Sequence, residues 1–215
     1  MTSSKPSPYL CLGSDQQSAP LVVVMIHGRG RSSSYMAQYV ERLKMPELAF
    51  VLPDAPGGAG SWYPNGFLMD LDANEPQLSE ALAVIEASVQ SVLSGGVPAE
   101  RIVLAGFSQG ACLAAEHVAR SARRYGALIS WTGSLIGPRE TKRARPAHAA
   151  ALQGMPALFT GARHDPWVPA DCVESSANVF RRWGAQVELF IDDRDQHVVS
   201  DDEIAMAKKI LKRIS

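Results

Sequence analysis

Disulfides are the first thing this chain is short of. Its 215 residues hold three cysteines, Cys11, Cys112 and Cys172, far apart and with no C-x-x-C pair. A disulfide framework or a thiolate metal site needs more cysteines or closer ones, so neither is supported and a reducing cytoplasm fits best. Net charge is scarce too: 21 Lys and Arg against 22 Asp and Glu leave −1 at pH 7. No global basic field invites nucleic acid or an anionic membrane. Long apolar runs are missing, and the longest, residues 21–26, is far too short to span a bilayer. Residues 1–20 are polar and contain proline, with no apolar stretch behind a basic start, so no secretory leader is expected. Neither an H-E-x-x-H motif nor another cluster of His and carboxylates at ligand spacing is present, so no metal and no other cofactor is expected.

What is present is the material of an ordinary globular protein, 46% hydrophobic and 20% charged. The length suits one domain over residues 1–215. Short apolar, β-branched runs read as strands at 21–26, 48–52, 102–105, 127–131, 156–160 and 187–191, with a short edge strand at 9–12. Helices are expected over 34–44, from Pro76 to the Gly95-Gly96 stop, over 111–119 and over 170–183. A last helix opens on a capping box, Ser200 and Glu203. Strands alternating with helices predict a parallel α/β sheet covered on both faces, with a site along its carboxyl edge. The cationic stretch 139–145 (Arg139, Lys142, Arg143, Arg145) reads as a solvated loop.

One stretch organises the rest. Ile102-Val103-Leu104-Ala105 runs into Gly106-Phe107-Ser108-Gln109-Gly110 and then a helix. G-x-S-x-G between a strand and a helix marks a nucleophile elbow, a sharp turn that exposes the serine above a helix N-terminus. A serine hydroxyl needs a base to take its proton and a carboxylate to hold that base in the right tautomer. Both should follow Ser108 at strand ends, in the order Asp then His. Asp165 lies five residues past Thr160, and His197 six past Ile191. The competitors are placed less well. His27 precedes the serine and suits a loop beside an oxyanion hole, His117 falls inside a helix, His148 sits in a surface loop, and His164 adjoins Asp165. Asp171 rivals Asp165, and Asp192, Asp193 and Asp195 crowd His197.

These residues carry a resemblance. Ile26-His27-Gly28-Arg29-Gly30, the G-F-S-Q-G pentapeptide, Asp165-Pro166-Trp167-Val168-Pro169 and the late His197 resemble the phospholipase/carboxylesterase family of α/β-hydrolases, acyl-protein thioesterases included. The resemblance implies an α/β-hydrolase fold, and the longest insert between core elements, Pro53 to Glu75, is too short for a separate cap domain. It implies a Ser108, Asp165, His197 triad working without metal on an ester or thioester. It also implies an oxyanion hole from the backbone N–H groups of Arg29 and Gln109. The chain departs from the acyl-protein thioesterases at two places, with Gly161-Ala162 where they carry His-Gly and Arg194-Asp195-Gln196-His197 where they often have Gly-x-x-His. Its aromatic loop, Ser61 to Phe67, is more similar to the bacterial carboxylesterase branch.

The expected function is hydrolysis of small to medium carboxylic esters through an acyl-enzyme. A thioesterase acting on acyl-protein or acyl-CoA is the alternative, and a catalytically silent hydrolase fold used as a binding module a third. The partner is a small-molecule ester, with no nucleic acid and no integral membrane segment; oligomeric state stays open, a homodimer included. Trp62, Tyr63 and Phe67 suit two roles, lining an acyl pocket or covering the core beneath a long loop, and Trp167 is a further pocket candidate.

Overall fold

The five inner strands of the sheet are covered on both faces and cross a dry core in five to seven residues, while the two edge strands are only partly buried. The computed structural model describes residues 9–58, 60–141, 143–147 and 149–215. Its strands are β1 (Tyr9–Gly13), β2 (Val22–Ile26), β3 (Ala49–Pro53), β4 (Ile102–Phe107), β5 (Ala127–Trp131), β6 (Pro156–Ala162) and β7 (Gln186–Asp192). They form one sheet in the order β1-β3-β2-β4-β5-β6-β7, every pair parallel except β1 with β3. The helices are α1 (Ser33–Leu43), α2 (Gln77–Ser94), α3 (Gln109–Arg120), α4 (Ala170–Arg182) and α5 (Asp201–Ile214). This is the mostly parallel α/β-hydrolase sheet, with β4 at its centre.

Alternation along β2 shows how the layers are filled. Val22, Val24 and Ile26 join Leu78 and Ile85 of α2, Leu113 of α3 and Phe180 of α4 in one core. Val23 and Met25 point the other way, to Met36 and Tyr39 of α1 and Ile204 and Ile210 of α5. All five β2 residues are buried, so the run is continuously apolar rather than alternating. Among the described residues no helix is long and apolar enough to cross a membrane.

Several boundaries differ from the sequence reading. Strand β4 continues through Gly106 and Phe107, and α3 begins at Gln109 rather than Ala111, because a single residue, Ser108, makes the whole turn. Strand β6 extends to Ala162. The cationic loop is not simply solvated. Arg143 pairs at 3.1 Å with Glu116, a carboxylate buried on α3, and Arg139 pairs with Asp171 of α4. A buried carboxylate needs a partner, and the loop folds back to supply one. Lys142 and His148 lie outside the described residues.

Candidate active site

Because β4, β6 and β7 are parallel, their carboxyl ends lie on one edge, and the loops leaving them meet there. Ser108 follows β4 with φ 56° and ψ −122°, a conformation that non-glycine residues rarely adopt. Its N–H donates to Trp131 O at 3.0 Å, and its carbonyl accepts from Cys112 N at 3.0 Å. The flanking glycines are required by contact. A Cβ on Gly106 would collide with the Gly110 carbonyl, and one on Gly110 with the carbonyls of Ile26 and His27. Strand and helix could not approach so closely with any larger residue.

His197 Nε2 lies 2.8 Å from Ser108 Oγ, and its Nδ1 lies 2.7 Å from Asp165 Oδ2. An ionised carboxylate only accepts, so Nδ1 carries the proton and Nε2 is left to accept from the serine hydroxyl. The other Asp165 oxygen, Oδ1, accepts from the Trp167 and Val168 N–H groups, both at 2.8 Å. Burial pushes the Asp165 carboxyl up, but the bonds from His197, Val168 and Trp167 outweigh it and leave its pKa below the ordinary value. The Phe107 ring, 4.9 Å from the His197 ring between centroids, backs the imidazole.

The two N–H groups expected at an oxyanion are presented by different devices. Gln109 is the first residue of α3, where N–H groups have no intrahelical acceptor. Gly30 N donates to Gly60 O at 2.6 Å and Arg31 N to Gly28 O at 3.2 Å, while among the described residues the Arg29 N–H has no main-chain acceptor. His27 props this loop from beneath. Its Nε2 accepts from Ala55 N at 3.1 Å and its Nδ1 donates to Gly28 O at 2.8 Å, so the ring is neutral. Burial pushes its pKa down accordingly.

A cleft of about 350 Å³ opens over Ser108 and His197, lined by Arg29, Tyr63, Phe67 and Trp167 among others. The aromatics divide between the two roles. Trp167 is 72% exposed at the rim, and Phe67 and Tyr63 form part of the wall. Trp62 does not line the cleft. Its indole is buried against His27, with Nε1 donating to the His27 carbonyl at 2.9 Å, so of the two roles left open for it the pocket one is set aside and the core one kept.

Comparison with known proteins identifies the architecture. The Phospholipase/Carboxylesterase family model matches residues 10–215. The chain belongs to this family. A phospholipase/carboxylesterase structure from Dyadobacter fermentans is 34% identical, superposes with a TM-score of 0.85, and is matched over 94% of this chain and 95% of that one. Acyl-protein thioesterase 1 of Gibberella zeae is 27% identical over 209 residues, 87% of this chain and 86% of that protein. Acyl-protein thioesterase 1 of Kluyveromyces lactis is 30% identical over 139 residues, 57% of this chain and 60% of that protein. The chain thus spans little more than half the length of the first curated relatives it matches.

In this phospholipase/carboxylesterase chain four of the rival residues have partners of their own. His117 is buried against Tyr125, Asp171 pairs with Arg139, Asp193 with Arg163 and Asp192 with Arg194. Among the described residues no group of three or more His, Cys, Asp and Glu stands close enough to hold a metal. Two contributors escaped the sequence reading. The Gln109 side chain binds the main chain of Trp62 and Tyr63, and buried Asn74 accepts from Asn65 N at 2.8 Å. The signal for Gln109 was a long polar residue where an oxyanion hole needs only a backbone.

Proposed function

We propose that the chain is a carboxylesterase with a Ser108-His197-Asp165 triad. Ser108 Oγ attacks the ester carbonyl as His197 Nε2 takes its proton. The N–H groups of Arg29 and Gln109 receive the oxyanion, each such donor being worth about 3 kcal/mol in related chemistry. His197 then protonates the departing alcohol, and the same imidazole activates the water that hydrolyses the acyl-enzyme. Asp165 holds the Nδ1–H tautomer and stabilises the imidazolium. The observation that carries the reading is the continuous line from Ser108 Oγ to His197 to Asp165, at 2.8 and 2.7 Å.

Thioester hydrolysis is the second reading, favoured by the acyl-protein thioesterase names of the Gibberella zeae and Kluyveromyces lactis relatives. The same residues serve either substrate. All three cysteines are free, which suits the cytoplasm. A fluorophosphonate probe should label the wild type at Ser108 and leave Ser108→Ala unlabelled, with turnover of p-nitrophenyl esters down by about six orders of magnitude. A Ser108→Ala protein keeping a tenth of the wild-type rate overturns the proposal. Parallel rates on p-nitrophenyl esters and acyl-CoA thioesters choose between the two substrate classes.

A further inference from the structure

His197 sits in a stretch with no helix or strand of its own, between the end of β7 at Asp192 and the start of α5 at Asp201. A hydrogen bond to Asp165 orients a ring but does not place the backbone that carries it. Something must bring the two ends of this loop to fixed positions.

The side chain of Arg194, three residues before His197, reaches across to α5. Its Nη2 lies 2.6 Å from Oε2 of Glu203, whose side chain is 0% exposed, and its Nε lies 3.0 Å from Oδ1 of Asp192. The same Glu203 oxygen accepts the Ser200 N–H at 2.6 Å, three residues after His197. Arg194 also acts through its backbone, where its carbonyl accepts from His164 N at 3.3 Å, next to Asp165. One residue therefore joins the end of β7, the loop of the acid and the first turn of α5, with His197 between its grips.

We infer that Arg194, held by Glu203, is the positioning residue for the base, acting through the His197 backbone without touching substrate. The inference rests on the triad reading above. A buried ion pair gains little net stability, since desolvation of both charges offsets their attraction; what this one supplies is a tie by charge between the end of β7 and α5, at ion-pair distance and without hydrogen-bond alignment. The first turn of α5 holds Asp201, Asp202 and Glu203, and Glu203 is the one turned into the protein toward Arg194. Misplacing a reacting group by about 1 Å costs roughly 100-fold in rate.

The test is Arg194→Met, which keeps bulk and removes the charge, with Glu203→Gln, which keeps the Ser200 contact and weakens the pair. In Arg194→Met, kcat per labelled active site should fall about 100-fold with KM nearly unchanged. Arg194→Lys should restore part of it, and added guanidinium should raise the rate of Arg194→Ala. Adding Glu203→Gln to Arg194→Met should cost almost nothing more. A readout independent of turnover is the exchange rate with water of the His197 Nδ1 proton shared with Asp165. It should speed up at least tenfold in Arg194→Met. If Arg194→Met lowers only the melting temperature, while kcat per active site and proton exchange stay at wild-type values, Arg194 is structural and the inference is wrong. If Ser108→Ala keeps turnover, the triad reading fails separately, and the proton exchange still decides whether Arg194 places His197.

Discussion

The side-chain amide of Gln109 donates to the Tyr63 carbonyl at 2.8 Å while its Oε1 accepts the Trp62 N–H at 3.0 Å. The residue proposed to offer its backbone N–H to the oxyanion thus also ties down the aromatic wall of the cleft. Gln109→Leu would keep the backbone donor and leave a buried Trp62 N–H without its acceptor, a loss of about 1–3 kcal/mol. Urea unfolding should register that cost. With p-nitrophenyl hexanoate, KM should rise by a larger factor than kcat falls, because the wall loosens and the oxyanion donor stays. A fall in kcat at constant KM would show that the amide does not control the wall.

Asp165→Asn should cost about four orders of magnitude in kcat, since an amide can donate to His197 Nδ1 and favour the wrong tautomer. The acid dependence of the wild type has a definite sign. The Asp165 pKa lies below its ordinary value, so its contribution to stability is fully present above the unfolded value of about 3.9 and is lost as pH falls through the lower folded one. Above pH 5 the carboxylate is already charged. Any rise of kcat/KM with pH in that range should therefore carry no proton from Asp165. A two-proton acid limb above pH 5 would place Asp165 in that titration and contradict its low pKa.

What could be read from the sequence was whatever depends on neighbours along the chain. Ser108, Asp165 and His197 each follow a short apolar run, and a parallel sheet must bring such ends to one edge; the same local logic placed the Ser200–Glu203 capping box. What could not be read depends on partners far away in sequence. Trp62 stood undecided between pocket and core because its loop is long, and what settles its place is a carbonyl 35 residues earlier that claims its indole. Arg143 looked solvated because its neighbours are polar, yet the carboxylate it meets lies 27 residues back on α3. Neither hydropathy nor spacing carries that information.

The two tryptophans should separate packing from specificity. Trp167 is 72% exposed at the cleft rim, so Trp167→Ala should change stability by no more than about 0.5 kcal/mol. It should lower kcat/KM for hexanoyl and octanoyl esters while sparing acetate, since each methylene loses up to about 0.8 kcal/mol of burial. Trp62 is 1% exposed, and Trp62→Ala should cost about 3–5 kcal/mol and depress every chain length alike. The wild type should prefer acyl chains of about four to eight carbons, the range in which added methylenes still find a wall. A best rate on palmitoyl substrates, or a Trp167→Ala profile parallel to wild type, would overturn this account of the cleft.

The last prediction lies outside the cleft, where α2, α3 and the segment before β5 meet. His117 is 6% exposed on α3, with Nε2 2.9 Å from the Tyr125 hydroxyl and 3.7 Å from Glu86 Oε2. Burial pushes its pKa down to about 4, opposed by the Glu86 charge and aided by Arg123, which grips Glu86 with both nitrogens at 2.9 and 2.7 Å. The folded protein thus resists a proton that the unfolded chain takes up near pH 6.5. Between those values the unfolded state binds more protons, so stability must fall as pH drops from about 6.5 toward 4, with no further loss from this group below that. The full span amounts to about 3 kcal/mol. Glu86 acts in a lower window: its pKa, raised by burial but lowered further by Arg123 and Gln90, ends below 4.5, so its contribution is lost only at more acid pH. His117→Gln still reaches Tyr125 and cannot titrate. Urea midpoints at pH 7.5 and pH 5 should differ clearly in the wild type and much less in the variant. Equal slopes in the two proteins would mean that His117 takes up its proton alike in the folded and unfolded states, and the lowered pKa of a buried imidazole would have to be abandoned.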